Sequence, residues 1–240
     1  MNQILALTLQ GIQDGLERME KVSLNLSNIQ TNGYKKERLV TAAFADVYEG
    51  IAKTSTSLTD FSAAPLKQTG QKLDFGLEGS GFFEVATDKG TFYTRLGSFQ
   101  VDSQGKLVTI DGSRVLGKEG DITIGGKDVS IDAQGNIFDN ANADGSATQR
   151  PFAQLKVVDF EDKKNMKRLG NGMFSSSDLP KAVSDADIKI KQGYLETSNV
   201  NSMSEMLEMM QTLRQIESMQ KIVQGYDEMM AGSIRKLSEF

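Results

Sequence analysis

Apolar residues recur at helical spacing at both ends of this 240-residue chain, and a different pattern lies between them. Most of the apolar positions are separated by steps of three and four residues, which places them on one side of a helix. The pattern predicts an N-terminal helix about 40 Å long and a second helix at the C-terminal end. The rows consist of Leu5, Leu9, Ile12, Leu16, Met19, Val22, Leu26 and Ile29 near the start, and of Met203, Met206, Met210, Leu213, Ile216, Val223, Tyr226, Met230, Ile234 and Leu237 near the end.

Both predicted helices carry narrow apolar rows. The first row is closer to the two-in-seven seam of a coiled coil than to the wide face of a core helix, although a compact bundle would also use such a row. Ser202 and Glu205 can form a capping box that starts the second helix. Since neither helix has a second helical layer in its own chain, we expect the rows to pack against each other and against neighbouring copies. The sequence therefore predicts long terminal helices that form a coiled-coil-like domain.

The middle of the chain is predicted to be β-rich. Short β-branched and aromatic runs alternate with hairpin turns at 88–90, 103–105 and 111–112. The segment VDSQGKL, residues 101–107, recurs as IDAQGNI, residues 131–137, which indicates that one hairpin unit is used twice. The fold class is therefore α+β, with a central antiparallel domain between the terminal helices.

Four parts follow from these patterns. We predict an N-terminal helical part at 1–35, an extended connector at 36–73, a β-rich domain at 74–196 and a C-terminal helical part at 197–240. The connector is assigned because it is rich in Ser, Thr and Ala and shows neither the apolar period of a helix nor that of a strand.

Composition excludes several classes of function. The net charge of -5 provides no basic surface for nucleic acid. The chain has no Cys and no His, so thiolate chemistry and the commonest general base and metal ligand are missing, and we expect no catalytic residue, cofactor or metal site. No run of roughly 18 apolar residues is present, so we expect no membrane insertion. The start lacks a basic leader and a cleavage site, and composition by itself favours the cytoplasm.

Several motifs resemble ligand sites but have simpler interpretations. The segment 140–151 resembles the start of a calcium loop, yet Pro151 stands where that loop needs a bidentate Glu. The glycines of GLEGSGFF, residues 76–83, precede an aromatic strand rather than the helix that a phosphate site needs, which favours a tight turn. The charges at 35–38 favour a solvated turn, and those at 161–168 a polar loop. The methionines of the second helix could form an adaptable binding surface, although a helical seam is preferred.

The end of the first predicted helix carries a recognisable motif. NLSNIQTNGYK, residues 25–35, resembles the N-terminal signature N-N-L-A-N-x-x-T-x-G-[FY]-K of the flagellar rod and hook family of axial proteins, with departures at Leu24 and Ser27. Three later stretches resemble the same family. LDFGLEGSGFFEV, residues 73–85, is similar to its L-D-x-x-x-x-G-x-G-F-F segment. YTRLGSFQVDSQGKLV, 93–108, contains its Y-T-R-x-G-x-F stretch, and GYLETSNVN, 193–201, its L-E-x-S-N-V element.

The resemblance implies a structural subunit of the bacterial flagellum, most similar to a basal-body rod protein that helps transmit torque from motor to hook. Its terminal helices would form the inner layer of the axial structure around a central export channel, with the β domain outside. The implied partners are copies of itself, other rod and hook proteins and, in transit, the flagellar type III export apparatus. The resemblance also implies export without a cleaved signal peptide and a place in the periplasmic rod, against the cytoplasmic expectation. The segment 213–230 departs from the pattern typical of the distal rod type, which favours the proximal type.

We expect the assembly interface to combine the two apolar rows, up to Met230, with residues of the signature motifs. Amide side chains can hydrogen-bond across packed helices, so Asn25 and Asn28 are predicted to fix register between subunits. The other signature members of this interface are Thr31, Gly33, Tyr34, Leu195, Ser198, Asn199 and Val200. The competing interpretation is a soluble β-domain enzyme or carbohydrate-binding module with helical extensions, which predicts a folded monomer with a ligand pocket.

Overall fold

A computed structural model describes residues 2–40, 56–126, 128–139 and 150–237. Over these ranges the chain has two α-helices, α1 (Asn2–Ser27) and α2 (Ser202–Leu237), with strands between them. The strands are β1 Glu37–Val40, β2 Thr56–Thr59, β3 Leu66–Gln68, β4 Phe75–Glu78, β5 Phe82–Thr87, β6 Gly90–Thr94, β7 Phe99–Val101, β8 Leu107–Thr109, β9 Arg114–Gly117, β10 Gly120–Asp121, β11 Val129–Ile131, β12 Asn136–Asp139, β13 Ala153–Gln154, β14 Val157–Asp159, β15 Lys167–Gly170, β16 Met173–Ser175, β17 Lys181–Ala182, β18 Lys189–Gln192 and β19 Tyr194–Glu196. The calcium-loop look-alike, apart from its last two residues, lies outside the described residues.

The three predicted hairpins are confirmed. Strands β5 and β6 pair so that Thr87 faces Gly90 across a two-residue turn, and β7 pairs with β8 and β8 with β9 in the same antiparallel manner. Gly90 adopts a φ of 125°, a conformation that glycine reaches without the steric cost of a side chain. The tight turn predicted before β5 is confirmed as well, since Gly79 and Gly81 both have positive φ.

The repeated segment forms the same turn twice. Asp102 Oδ1 accepts hydrogen bonds of 2.8 Å from the backbone N–H groups of Gln104 and Lys106. Asp132 Oδ1 accepts the equivalent bonds from Gln134 at 3.0 Å and Asn136 at 2.8 Å. An Asp that satisfies two backbone donors in this way fixes a turn locally, which is why the sequence repeat is also a structural one.

All described strand pairs are antiparallel. The largest sheet has the order β15-β16-β6-β5-β9-β8-β7, with β10 paired to β9, β14 to β5 and β17 to β14. Smaller sheets are formed by β11-β12-β13, β18-β4, β19-β3 and β1-β2. Apolar side chains of the β-rich middle form the main core, which consists of Phe75, Leu77, Phe83, Val85, Phe99, Leu107, Val115, Ile122, Ile124, Val129, Ile137, Leu155, Val157, Ile188 and Ile190.

The described residues fall into two compact units. The β unit comprises the described residues of 30–36 and 61–199, and the helical unit those of 1–29, 37–60 and 200–240. The helical unit therefore contains α1, α2 and the β1-β2 ladder, in which Glu37 faces Thr59. The predicted connector thus carries strands, and its described residues are divided between the two units.

The prediction that long terminal helices form a coiled-coil-like domain is wrong. The structure has a β-rich middle and one helix at each end. These two helices meet through Gly11 and Gly15 of α1, and Ile216 takes part in this contact while most of the predicted apolar seam does not. Leu9, Leu16 and Met210 of that seam are about half exposed, whereas Gly11 and Gly15 lie against α2. Because glycine has no side chain, the residues of α2 reach the backbone of α1 and the larger seam residues are turned aside. Neither helix has, over its described residues, a stretch that is long and apolar enough to span a bilayer.

Candidate assembly interface

The turn that follows α1 is held inside the β unit by a buried ion pair. Lys35 Nζ lies 2.7 Å from Glu196 Oε1, and the two side chains are 0% and 2% exposed. Lys35 Nζ also donates to the carbonyl of Ser62 at 2.7 Å, and the backbone N–H of Ala64 donates to Glu196 Oε1 at 2.9 Å. We call the set formed by 33–36, Arg95, Glu196 and Asn199 the signature clasp, because its members come from three of the signature motifs.

Arg95 brings a second buried cation to the same carboxylate. Its Nε lies 3.5 Å from Glu196 Oε2, and its Nη2 donates to the carbonyl of Gly79. Burial lowers the pKa of the Arg95 guanidinium, and the carboxylates of Glu196 and Asp159 oppose that shift. A charge removed from water is costly unless it is paired, so each member of this cluster depends on the others.

Backbone contacts complete the signature clasp. The N–H of Gly33 donates to the carbonyl of Glu196 at 2.7 Å, and the N–H of Lys36 donates to Asn199 Oδ1 at 2.7 Å. The N–H of Asn199 donates in turn to the carbonyl of Tyr34 at 3.3 Å. Gly33 has a φ of 66°, and a Cβ there would lie 3.0 Å from the carbonyl oxygen of Arg95, so this position requires glycine.

Two interpretations of charged segments need correction. Lys35 and Glu37, predicted as part of a solvated turn, are both buried. Arg168, predicted in a polar loop, lies with its guanidinium carbon 4.2 Å from the ring centre of Tyr34 and donates to the carbonyl of Lys35 at 2.9 Å. Sequence reasoning overlooked Lys35, Arg95 and Glu196 as site residues. One sequence feature could have indicated them: each is the charged residue of a different signature motif, and together they carry charges of both signs.

A second polar joint lies within the helical unit. Asn25 is 1% exposed, and its Nδ2 donates to the carbonyl of Glu37 and to Glu205 Oε2, both at 2.9 Å. Its Oδ1 accepts from the N–H of Glu37 at 2.9 Å. Lys21 Nζ lies 2.9 Å from the carboxylate of Glu37. These contacts give Asn25 an intrachain role that ties α1 to β1 and α2. Asn28 instead donates to its own helix, at the carbonyl of Leu24.

The start of α2 is capped by a residue that the sequence analysis did not choose. Asn201 Oδ1 accepts a hydrogen bond from the N–H of Ser204 at 3.1 Å, which is the geometry of an N-cap. The predicted capping carboxylate, Glu205, is 0% exposed and contacts Asn25.

The two helices approach closely through two glycines. An ideal Cβ on Gly11 would lie 2.7 Å from Met219 Cε, and one on Gly15 would lie 2.8 Å from Ile216 Cγ1. The pairs Gly11–Met219 and Gly15–Ile216 show that the helices run antiparallel, because the numbers rise on one helix as they fall on the other. Thr212 of α2 also reaches the position of Gly15.

Apolar rows of both helices remain exposed on one side of this contact. With about 100° of rotation per residue, the row on α1 lies roughly 60–140° to one side of the line through Gly11 and Gly15. The row on α2 lies at the same rotation from Ile216, and in an antiparallel pair equal rotations point to the same side. We call this surface the apolar flank; it consists of Leu5, Leu9, Ile12, Leu16 and Met19 of α1 and Met203, Met206, Met210 and Leu213 of α2. Leu9 is 54% exposed and Met203 67%.

The opposite side of the helix pair has a mostly polar groove of about 450 Å³. Arg18, Glu208, Gln211 and Gln215 line this groove together with Leu207, which is 49% exposed. The helical unit therefore presents two unlike surfaces, and water solvates the grooved one more favourably.

The predicted assembly residues divide into three groups by exposure. Those that are buried are Val22, Asn25, Gly33, Tyr34, Leu195, Ser198, Val200 and Ile216. Those that are half-buried are Leu5, Ile12, Met19, Leu26, Asn28, Ile29, Asn199, Val223 and Tyr226. Those that are exposed are Leu9, Leu16, Thr31, Met203, Met206, Met210, Leu213 and Met230. The structure thus places most signature residues in intrachain contacts and most of the apolar flank at the surface.

The helical unit has an open apolar flank, and the β unit holds its chain segments 33–36 and 195–199 by buried charges. Both features are typical of a structural protein that assembles. Comparison with known proteins agrees. The family model "Flagellar hook protein FlgE/F/G D1 domain" matches residues 76–138, and "Flagellar basal body rod FlgEFG protein C-terminal" matches residues 191–235.

Relatives match over most of the chain. The flagellar basal-body rod protein FlgF of Mesorhizobium japonicum is 31% identical over 84% of this chain and 83% of its own length. FlgF of Escherichia coli is 30% identical over 89% of both chains, and the rod protein FlgG of Agrobacterium fabrum is 29% identical over 94% of this chain and 95% of its own.

The chain belongs to the family of flagellar basal-body rod proteins, and it is a structural subunit of that family. The family is not an enzyme family, and the enzyme or carbohydrate-binding interpretation finds no support in these comparisons. Family membership supports a place in the flagellar basal body and replaces the cytoplasmic expectation drawn from composition.

Proposed function

We propose that this protein builds the flagellar rod by packing its apolar flank against the helical units of neighbouring copies and of other rod and hook proteins. The exposure of the flank carries this proposal. Large apolar side chains that are half exposed over several helical turns are unfavourable in water, and burial between subunits would remove that cost. A heterologous contact whose rotation does not close generates a helical filament, which is the symmetry that a rod needs.

The signature clasp contributes to the same function by fixing the direction of the chain segments 33–36 and 195–199. Residues 33–36 and 195–199 lie next to the points where the chain passes between its two units. The ion pair of Lys35 with Glu196 and the bond from Lys36 to Asn199 hold these segments together inside the β unit. We propose that a subunit secured in this way helps to transmit torque, because these segments cannot swing independently of one another.

The place of assembly and the route to it belong to the same proposal. The subunit would reach the periplasmic rod through the flagellar type III export apparatus, without cleavage of a signal peptide. The relatives named as rod proteins of the basal body support the place of assembly by family analogy, and the route is what the family resemblance implies.

The decisive experiment places one charge on the apolar flank. Leu16→Glu is the chosen variant because Leu16 is 49% exposed and Glu has a helix propensity close to that of Leu. In a strain that lacks its own copy, we expect this variant to abolish motility and intact rods. Burial of a carboxylate without a partner costs on the order of several kcal/mol, and this cost opposes the packing of subunits.

Gln211→Glu is the matched control, because it adds the same charge on the polar side of the helix pair. Far-ultraviolet circular dichroism of both purified variants should show unchanged helix content, which separates assembly from folding. Normal swimming and normal rods with Leu16→Glu would refute the proposed use of the flank.

A further inference from the structure

We propose that Met203, Met206 and Met210 form an oxidation site, at which hydroperoxides such as hydrogen peroxide convert thioethers to sulfoxides before assembly and so weaken association of the subunits. The inference rests on the proposed function, because the apolar flank must be an assembly surface for its oxidation to matter. The three residues follow one another at steps of three and four on the first turns of α2.

Methionine is concentrated in this helix to an unusual degree. Seven of the chain's 11 methionines lie in α2. Met203 is 67% exposed, and Met206 and Met210 are each 48% exposed, so a small oxidant in water can reach their sulfur atoms. The α1 half of the flank consists of Leu and Ile apart from Met19, so most of it has no thioether to oxidise. One half of the same apolar surface is therefore sensitive to oxidants and the other is largely inert.

Methionines elsewhere in the chain provide internal contrasts. Met166 in the β unit is 6% exposed and belongs to the cluster around Phe82 and Phe174. Met219 of α2 is turned toward Gly11, where its sulfur would lie 2.8 Å from an ideal Cβ. Solvent access, rather than residue type, should therefore decide the order of reaction.

The chemical step is a two-electron oxygen transfer. A sulfur lone pair attacks one oxygen of the peroxide, the O–O bond breaks, and the second oxygen leaves as water after it takes up the proton of the first. The thioether is oxidised to a sulfoxide and the peroxide is reduced, with no further reactant. The product has a polar S=O group that accepts hydrogen bonds, so its burial between subunits is unfavourable. Methionine sulfoxide reductases reverse the reaction, which would make the effect reversible.

The test compares oxidised and untreated full-length protein. The purified chain is treated with hydrogen peroxide, oxygen uptake at each methionine is read by peptide mass spectrometry, and association is followed by sedimentation velocity over a concentration series. We expect Met203, Met206 and Met210 to be modified well before Met166. The concentration needed for association should rise roughly tenfold or more, while helix content stays unchanged.

The triple variant Met203→Leu/Met206→Leu/Met210→Leu keeps the apolar volume and should associate normally both before and after peroxide. Met166→Leu is the matched control and should remain peroxide-sensitive. Unchanged association after full oxidation of the three residues, or equal sensitivity of the triple variant, would overturn the inference alone. If the untreated protein does not associate at any concentration, the proposed function fails first and the inference fails with it.

Discussion

The β unit and the helical unit of this protein use burial in different ways. The β unit has a core of apolar residues from many strands, among them Phe75, Phe83 and Phe99. Within the described part of the helical unit, the buried apolar residues are Val22, Val200 and Ile216. Its other buried positions are largely polar, and large apolar side chains remain at its surface.

This difference shows where each unit obtains its stability. The β unit satisfies its apolar surface within itself, so it resembles an ordinary folded domain. The helical unit buries polar side chains internally and leaves much of its apolar surface exposed. A subunit that must assemble needs both kinds of region, because one supplies a fixed scaffold and the other a surface that is stable only when covered.

The largest expected effect comes from the core of the β unit. Phe83 is 0% exposed and packs edge-to-face against Phe99 with ring centres 5.4 Å apart. We expect Phe83→Ala to lower the free energy of unfolding by about 3–5 kcal/mol, because it leaves a cavity. Chemical denaturation followed by circular dichroism measures the change.

Leu16→Ala is the counterpart on the apolar flank and should change the free energy of unfolding of the monomer by less than about 1 kcal/mol. Equal losses for the two variants would show that the flank is already buried in the isolated chain, and the contrast between the units would disappear.

The second-largest effect on the free energy of unfolding is expected at the signature clasp. Glu196→Gln leaves Lys35 without its carboxylate in a fully buried position, which should cost about 3 kcal/mol. The exposed pair of Lys191 with Glu78 lies in the same unit, with both side chains about half exposed and a separation of 2.9 Å. Glu78→Gln should therefore cost much less than Glu196→Gln.

A double-mutant cycle sharpens this result. Lys35→Met combined with Glu196→Gln should cost less than the sum of the single changes, because no buried ammonium then remains unpaired. If the two changes have additive effects on the free energy of unfolding, the two charges do not interact, against what the 2.7 Å contact indicates.

The smallest of the three effects concerns the joint within the helical unit. Asn25→Leu removes hydrogen bonds to Glu37 and Glu205 and should destabilise the helix pair by about 1–3 kcal/mol. Hydrogen exchange of residues 2–27 in the monomer should accelerate. Asn28→Leu removes the hydrogen bonds to the carbonyl of Leu24 and to Ser27 Oγ, which are local, and should have a smaller effect. If both variants leave exchange unchanged and impair only assembly, register between subunits is the correct role, as the sequence analysis predicted.

Several elements were predictable because their causes are local. The hairpin turns depend on residues such as Gly90, and the repeated turns depend on Asp102 and Asp132, each of which bonds within four positions of itself. The helices were predictable because a period of three to four residues can be recognised in the sequence without knowing which surface packs against the helix. The rows that form the apolar flank were predictable for the same reason, although their separation from the helix contact was not.

The sequence by itself therefore determined the helices, the antiparallel hairpins and the resemblance to flagellar axial proteins, since short-range spacing encodes all three. Tertiary structure alone decided that Lys35 would be buried against Glu196, 161 positions away, rather than solvated in a turn. It also decided that Gly11 and Gly15 would form the helix contact and leave the apolar row open. Burial and long-range pairing depend on which distant surfaces meet, and no local pattern records that choice.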